Sequence, residues 1–267
     1  LGGGRWASFV RGALPGAGDW THAYADAGNT AGGSDSALRA PLGLLWFGRP
    51  GPLEMISRHR RAAGPLLAKG VLLVQSENAV SGYDPYNGLR LWRRELPKVF
   101  RELVSHDCSN LASDGSTFFV VHNDECLRID PRDGKTLATL HMPDGVESRW
   151  GYVASADGVL FGSATEKGRI CDRIFAIDPP TGRVLWQHEG PGIPHPSISV
   201  AGGRIFFVEE RTMTSEERRA ALHDQLDGMK PKDAERLMKS AALRSTVCLD
   251  AKTGRKLWEK DMDLTGG

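Results

Sequence analysis

Ile177-Asp178-Pro179-Pro180-Thr181-Gly182-Arg183-Val184-Leu185-Trp186 is one of four copies of a single phrase. The others are Tyr83-Asp84-Pro85-Tyr86-Asn87-Gly88-Leu89-Arg90-Leu91-Trp92, Ile129-Asp130-Pro131-Arg132-Asp133-Gly134-Lys135-Thr136-Leu137-Ala138 and Leu249-Asp250-Ala251-Lys252-Thr253-Gly254-Arg255-Lys256-Leu257-Trp258. Each has Gly four residues after Asp, and three close on Leu-Trp; the second closes on Leu137-Ala138. Successive Asp residues lie 46, 48 and 72 positions apart. A period of roughly 40–50 residues marks an array of one repeated supersecondary unit.

Working outward from the phrase, each repeat reads as a four-stranded meander. In the first, residues 64–68 form a short strand, Lys69-Gly70 a tight turn and residues 71–75 a second strand. Residues 79–84 form the third and residues 89–93 the fourth, with Asn87-Gly88 between them. Asn-Gly between apolar runs predicts a type I′ hairpin turn, which needs positive φ at both central residues. Asp114-Gly115, Asp133-Gly134, Asp157-Gly158, Thr181-Gly182, Gly202-Gly203 and Thr253-Gly254 fill the other turns. Residues 42–47 read as a further strand whose Leu45-Trp46 matches the end of the phrase, completing a blade elsewhere in the ring.

The long last spacing has a local cause. Residues 213–243 leave the strand pattern and turn helical. Thr214 and Glu217 make a capping box; Leu222, Leu226 and Met229 share one face, and Ala234, Leu237, Met238 and Ala241 repeat that spacing after Gly228 and Pro231. This predicts a helical hairpin inserted in the fourth repeat, either packed on its own blade or serving as a lid or docking arm. Within the phrase, Trp offers an apolar plate with one N–H, suited to the gap between blades. Gly leaves room for another backbone to approach, and Asp holds the corner by accepting turn amides. The seam after Ala138, lacking its Trp, should pack differently.

Composition sets the remaining bounds. The 267 residues are 40% hydrophobic and 25% charged, with net charge +1. That balance gives no argument for nucleic acid or an anionic membrane, and no apolar run is long enough to span a bilayer. Cys108, Cys126, Cys171 and Cys248 are widely spread and none sits in a CxxC or CxxCH, which argues against a zinc site or a c-type haem and favours buried free thiols over disulfides. Residues 1–18 read as the tail of an upstream domain with a linker.

The phrases resemble the PQQ-like β-propeller repeat of quinoprotein dehydrogenases and of outer-membrane assembly propellers, from residue 20 to residue 262. The leading Asp19-Trp20-Thr21-His22, with Gly28-Asn29-Thr30 and Pro41-Leu42, is similar to the start of such proteins. The detail is closest to large multi-blade PQQ-binding-like repeat proteins of bacteria, some of which follow a methyltransferase-like domain. The resemblance implies an all-β fold: a propeller over 19–267 with blades near 58–98, 104–142, 148–190 and 194–262 and a helical insertion at 213–243. It further implies a larger ring of about eight blades, within the usual range for propellers, and a periplasmic or secreted location.

Repeat register then places candidate site residues. Counting back nine from the first-turn glycines gives Arg61, His106, Arg149 and Pro194; counting back eight gives Ala62, Asp107, Trp150 and His195. Arg61, His106, Asp107, Arg149, Trp150 and His195 are therefore candidates for one channel mouth, with Arg58-His59-Arg60 nearby. Such a mouth suits a small anionic ligand; solvated loop residues are the simpler reading. By resemblance the cofactor would be PQQ with Ca²⁺, held by Glu, Asn and Asp and often beside a Cys-Cys pair. No Cys-Cys occurs, Asp107 and Asn110 alone do not make a hard-cation site, and no GxSxG is present. The functions weighed are a ligand-binding or scaffold propeller, a PQQ-dependent dehydrogenase completed by further blades, and an envelope assembly platform using 213–243 to dock a protein.

Overall fold

The computed structural model describes residues 14–48, 63–99, 108–146, 148–165 and 170–264, with Ala7, Gly12, Glu54 and Ile56. Most of 1–18 and the whole of 57–62 lie outside them. Four antiparallel sheets follow one another along the chain. The first holds β1 (Leu66–Ala68), β2 (Val71–Gln75), β3 (Ala79–Tyr83) and β4 (Arg90–Glu95). The second holds β5 (Leu111–Ser113), β6 (Phe118–His122), β7 (Glu125–Ile129) and β8 (Thr136–His141). The third holds β9 (Arg149–Ala156), β10 (Val159–Thr165), β11 (Ile170–Asp178) and β12 (Arg183–Pro194). The fourth holds β13 (Ser199–Ala201), β14 (Arg204–Glu210), β15 (Leu243–Asp250) and β16 (Lys256–Asp263). Each sheet is a plain meander, and the first strands β1, β5, β9 and β13 stand beside one another in turn. This is the radial arrangement of propeller blades.

Strand periodicity builds the core. Alternate residues of a strand point to opposite faces, so an inner blade feeds two interfaces at once. In β6, Phe118 and Val120 pack against the first blade, while Phe119 and Val121 pack against the third. In β10, Leu160 joins the second blade and Phe161 the fourth. The end blades have one such neighbour each, so β2 and β14 alternate buried and half-buried residues. Their open faces still carry Leu72, Val74, Phe206 and Val208.

The phrase works between blades. Trp92 Nε1 donates to the Pro131 carbonyl at 2.6 Å, and its ring lies over Gly134. Trp186 Nε1 donates to the Ala251 carbonyl at 2.9 Å and covers Gly254. Each Trp thus closes the corner of the next blade, and an indole, not a backbone, is what Gly admits. At the seam lacking Trp, a Cβ built on Gly182 would meet Leu140 Cδ2 at 3.7 Å instead. The corner itself is no type I′ turn: Gly88 N–H bonds the Asp84 carbonyl at 2.9 Å, and positive φ falls on Gly88 while Asn87 stays outside that region. The Asp side chain already ties the corner amides, so one left-handed residue suffices. Lys69-Gly70, Asp157-Gly158 and Gly202-Gly203 carry positive φ at both residues.

Residues 42–47 are not a strand. Trp46 Nε1 nonetheless donates to the Pro85 carbonyl at 2.8 Å and covers Gly88, as a closing Trp does. The side-chain anchor holds without a third-strand edge to pair with, and Leu42, Leu44, Leu45 and Phe47 stay exposed. The insertion between β14 and β15 forms α1 (Ser215–Ala221), α2 (His223–Leu226) and α3 (Pro231–Ser240). The Thr214–Glu217 capping box is present. Leu222, Ala241 and Leu243 form a small separate core with Leu226, Leu237 and Met238, while Met229 points outward. Gln225 bonds Asp263 at the end of β16, so the arm roots on the outer strand of its own blade. All four cysteines are buried thiols.

Candidate functional site at the ring axis

The mouth candidates divide. Arg61, His106 and Asp107, with residues 58–60, lie outside the described residues. Arg149 is exposed at the start of β9, beside an open groove of about 470 Å³ lined by Asp124, His141, Met142, Ser148 and Arg149. Trp150 is buried: its Nε1 donates to the Tyr152 carbonyl at 3.1 Å, and its ring meets Phe175 edge-on at 5.0 Å. His195 is fully buried in a short 3-10 turn after β12. Gly151, next to Trp150, approaches His195: a Cβ on it would lie 3.1 Å from His195 Cε1.

His195 sits in a polar pocket of the third blade. Its Nε2 lies 3.1 Å from Ser163 Oγ, which accepts the Tyr152 N–H at 2.9 Å. Nδ1 is buried without a partner. Burial pulls the imidazole down to about 4 and pushes the Cys171 thiol up to about 12, so both are neutral at pH 7. Burial likewise raises the Cys126 thiol and the Tyr152 hydroxyl. A buried neutral thiol is a poor nucleophile.

The sequence reading missed the feature that joins the blades. Residues 20–29 run as a strap across all four innermost strands. Trp20 and Leu67 of β1 exchange two backbone bonds at 2.8 Å, and Ser113 N–H of β5 donates to the Thr21 carbonyl at 2.9 Å. Ser155 N–H of β9 donates to His22 Nε2 at 2.9 Å. Val200 N–H of β13 donates to the Ala27 carbonyl at 2.8 Å, and Asn29 Nδ2 reaches the Ile198 carbonyl at 2.9 Å. Because His22 Nε2 accepts, its Nδ1 carries the proton and donates to Thr21 Oγ1 at 2.8 Å. Burial lowers this imidazole to about 4 despite the opposing pull of Asp26. Between the strap and the inner strands is a cavity of about 20 Å³, lined by His22, Asn29, Cys108, Ser109 and Tyr152 among others. The one sequence signal was the resemblance of 19–22 and 28–30 to a leading segment.

A quinone with a hard cation does not fit the described residues here. The axial cavity holds no more than a water, Trp150 is covered by Phe175, and no three His, Cys, Asp or Glu side chains converge among the described residues.

Comparison with known proteins follows the fold. The sequence matches none of the curated proteins it was compared with. Among solved structures it is similar to the quinohemoprotein alcohol dehydrogenase of Comamonas testosteroni, at 16% identity and TM-score 0.59, over 91% of this chain and 41% of that one. It is similar to a quinohemoprotein alcohol dehydrogenase of Pseudomonas putida HK5, at 13% identity and TM-score 0.56, over 91% of this chain and 40% of that one. A europium-containing methanol dehydrogenase aligns at 14% identity and TM-score 0.53, over 92% of this chain and 49% of that one. The chain spans less than half the length of each, and the likeness is one of fold. The family profile described as outer membrane protein assembly factor BamB matches residues 44–187 and 122–267. The chain belongs to this family of PQQ-like β-propeller repeat proteins.

Proposed function

We propose that this chain is a binding scaffold, a propeller segment that presents loops and the helical arm to a protein partner, and that it is not a dehydrogenase centre. The observation that carries this reading is the strap: in its seated position, residues 20–29 cover the four innermost strands and leave about 20 Å³ behind them. The family description, an outer membrane protein assembly factor, supports a role in assembling other proteins. No described helix is long and apolar enough to cross a membrane. The test is titration of the 267-residue chain with PQQ and Ca²⁺. No shift in thermal midpoint and no change in quinone absorbance are expected; a saturable shift of either overturns the reading.

A second reading concerns the groove at Arg149. Ser148 Oγ is buried there without a partner, and His141 and Arg149 line the same wall. A small anion would find a guanidinium and a hydroxyl donor. Calorimetric titration with citrate, for wild type and Arg149→Ala, checks it; equal heats from both would count against it.

A further inference from the structure

The strap is strained where it is bound. Ala25 has φ 70°, Asn29 φ 57° and Ala31 φ 54°. Left-handed backbone is strained for a residue with a Cβ, and alanine has no side-chain bond to offset it. Three such residues within seven positions persist only because the surroundings hold them. Those surroundings are the hydrogen bonds to the blades, two to the first, one each to the second and third and three to the fourth, where Ser199 Oγ also donates to the Gly28 carbonyl at 3.0 Å, and the Asp26 carboxylate, which accepts from Gly28 N–H at 2.9 Å and from Thr30 Oγ1 at 2.7 Å.

The segment is also one layer thick. His22, Ala25 and Ala27 face inward and are buried, while Trp20, Tyr24 and residues 29–31 are exposed. Beneath it lie Cys108, Ser109 and Tyr152, walls of the axial cavity it shares. The blades draw little of their packing from it: Ala27 is the one strap residue in the three inter-blade cores, where it meets Cys108 and Tyr152 at the edge of the core between the third and fourth blades.

We propose that residues 20–31 are a strained, displaceable plug on the ring axis, which lifts from the inner strands and uncovers an axial site at Cys108, Ser109 and Tyr152 while the blades stay folded. Opening exchanges the hydrogen bonds to all four blades for solvent bonds and releases the left-handed strain at Ala25, Asn29 and Ala31. The site it uncovers presents a thiol, a serine hydroxyl and a phenol, and the Ser155 N–H loses its imidazole acceptor. These are neutral hydrogen-bonding groups, suited to an uncharged polar ligand or a peptide backbone. The proposal stands apart from the scaffold reading, since a plug can open whether or not a protein docks.

The test uses the full chain and the four thiols as internal probes, with iodoacetamide at pH 7 and peptide mapping of each cysteine. His22→Ala removes the tie to β9 and is expected to raise the Cys108 labelling rate about tenfold, leaving Cys126, Cys171 and Cys248 unchanged. Ala25→Gly with Ala31→Gly relieves strain in the seated form and is expected to slow Cys108 labelling below wild type. Cys108 labelling unmoved by His22→Ala, or a rise shared by all four thiols, overturns the proposal. So does faster Cys108 labelling in the double glycine variant, because relaxed backbone should seat the plug more firmly.

Discussion

A Cβ added at Gly134 or Gly254 would stand 2.6 Å from a neighbouring indole, whereas at Gly182 the nearest atom is 3.7 Å away and at Gly70 there is open space. All four have φ near +70°, so alanine is conformationally strained at each, and only two add a collision. Gly70→Ala and Gly182→Ala should cost about 1 kcal/mol. Gly134→Ala and Gly254→Ala should cost about 2–4 kcal/mol, strain and overpacking together. Urea unfolding of the four variants checks the order; four equal losses would deny the seam its role.

Acid should act on single residues in two windows. His22 and His195 sit near 4 in the folded chain against a usual 6.5. The unfolded chain therefore takes up protons first as pH falls. Their contribution to stability is complete above 6.5 and is lost on the way down to about 4. Each adds a slope of up to about 1.4 kcal/mol per pH unit there. His195→Gln should flatten that leg in urea melts between pH 7 and 4. Asp130 behaves at lower pH: the Arg132 side chain and backbone amide hold it to about 2 against 3.8. Its contribution is whole above 3.8 and fades through about 2, and Asp130→Asn should remove that last leg.

At the scale of the element, the arm should melt by itself. Its core of Leu222, Ala241 and Leu243 is separate from those between blades. Thr214→Ala removes the side-chain cap of α1 and should cost the arm about 1 kcal/mol. Faster amide exchange over Ser215–Ala221 with no change in β15 checks this. Strands, corners and arm were legible because period-2 alternation, Asp-to-Gly spacing and the capping box are local signals. Residues 42–47 misled because Leu45-Trp46 is written like a fourth strand, yet strand pairing needs a partner edge that their own sequence cannot supply. The strap was illegible for a related reason. Its bonds run from residues 20–29 to Leu67, Ser113, Ser155 and Val200, and three of the four blade ties use its backbone atoms, which carry no side-chain pattern. Of the described mouth candidates, Trp150 and His195 are buried and Arg149 is exposed, and counting positions says nothing of burial.

At the scale of the whole molecule, stability is a sum over neighbouring blades, as in other repeat arrays. Trp92 and Trp186 each clamp a following corner, while Trp258 is 43% exposed beside Phe206. Trp92→Ala and Trp186→Ala should each cost about 3 kcal/mol, and Trp258→Ala less than about 1 kcal/mol. Thermal unfolding of the three variants would show this gap.

The strap ties, the Asp corners and the Trp clamps gather toward one end of the blades, where β1 meets β2 and β3 meets β4. The opposite end carries the described links between second and third strands: 76–78, 123–124 and 211–242. Descent has therefore had two different margins to write on. One is under common constraint, since a change there disturbs two blades at once. The other carries the helical arm at 211–242 with a core of its own, apart from the seams, and that is where new recognition can be grafted onto the ring by design.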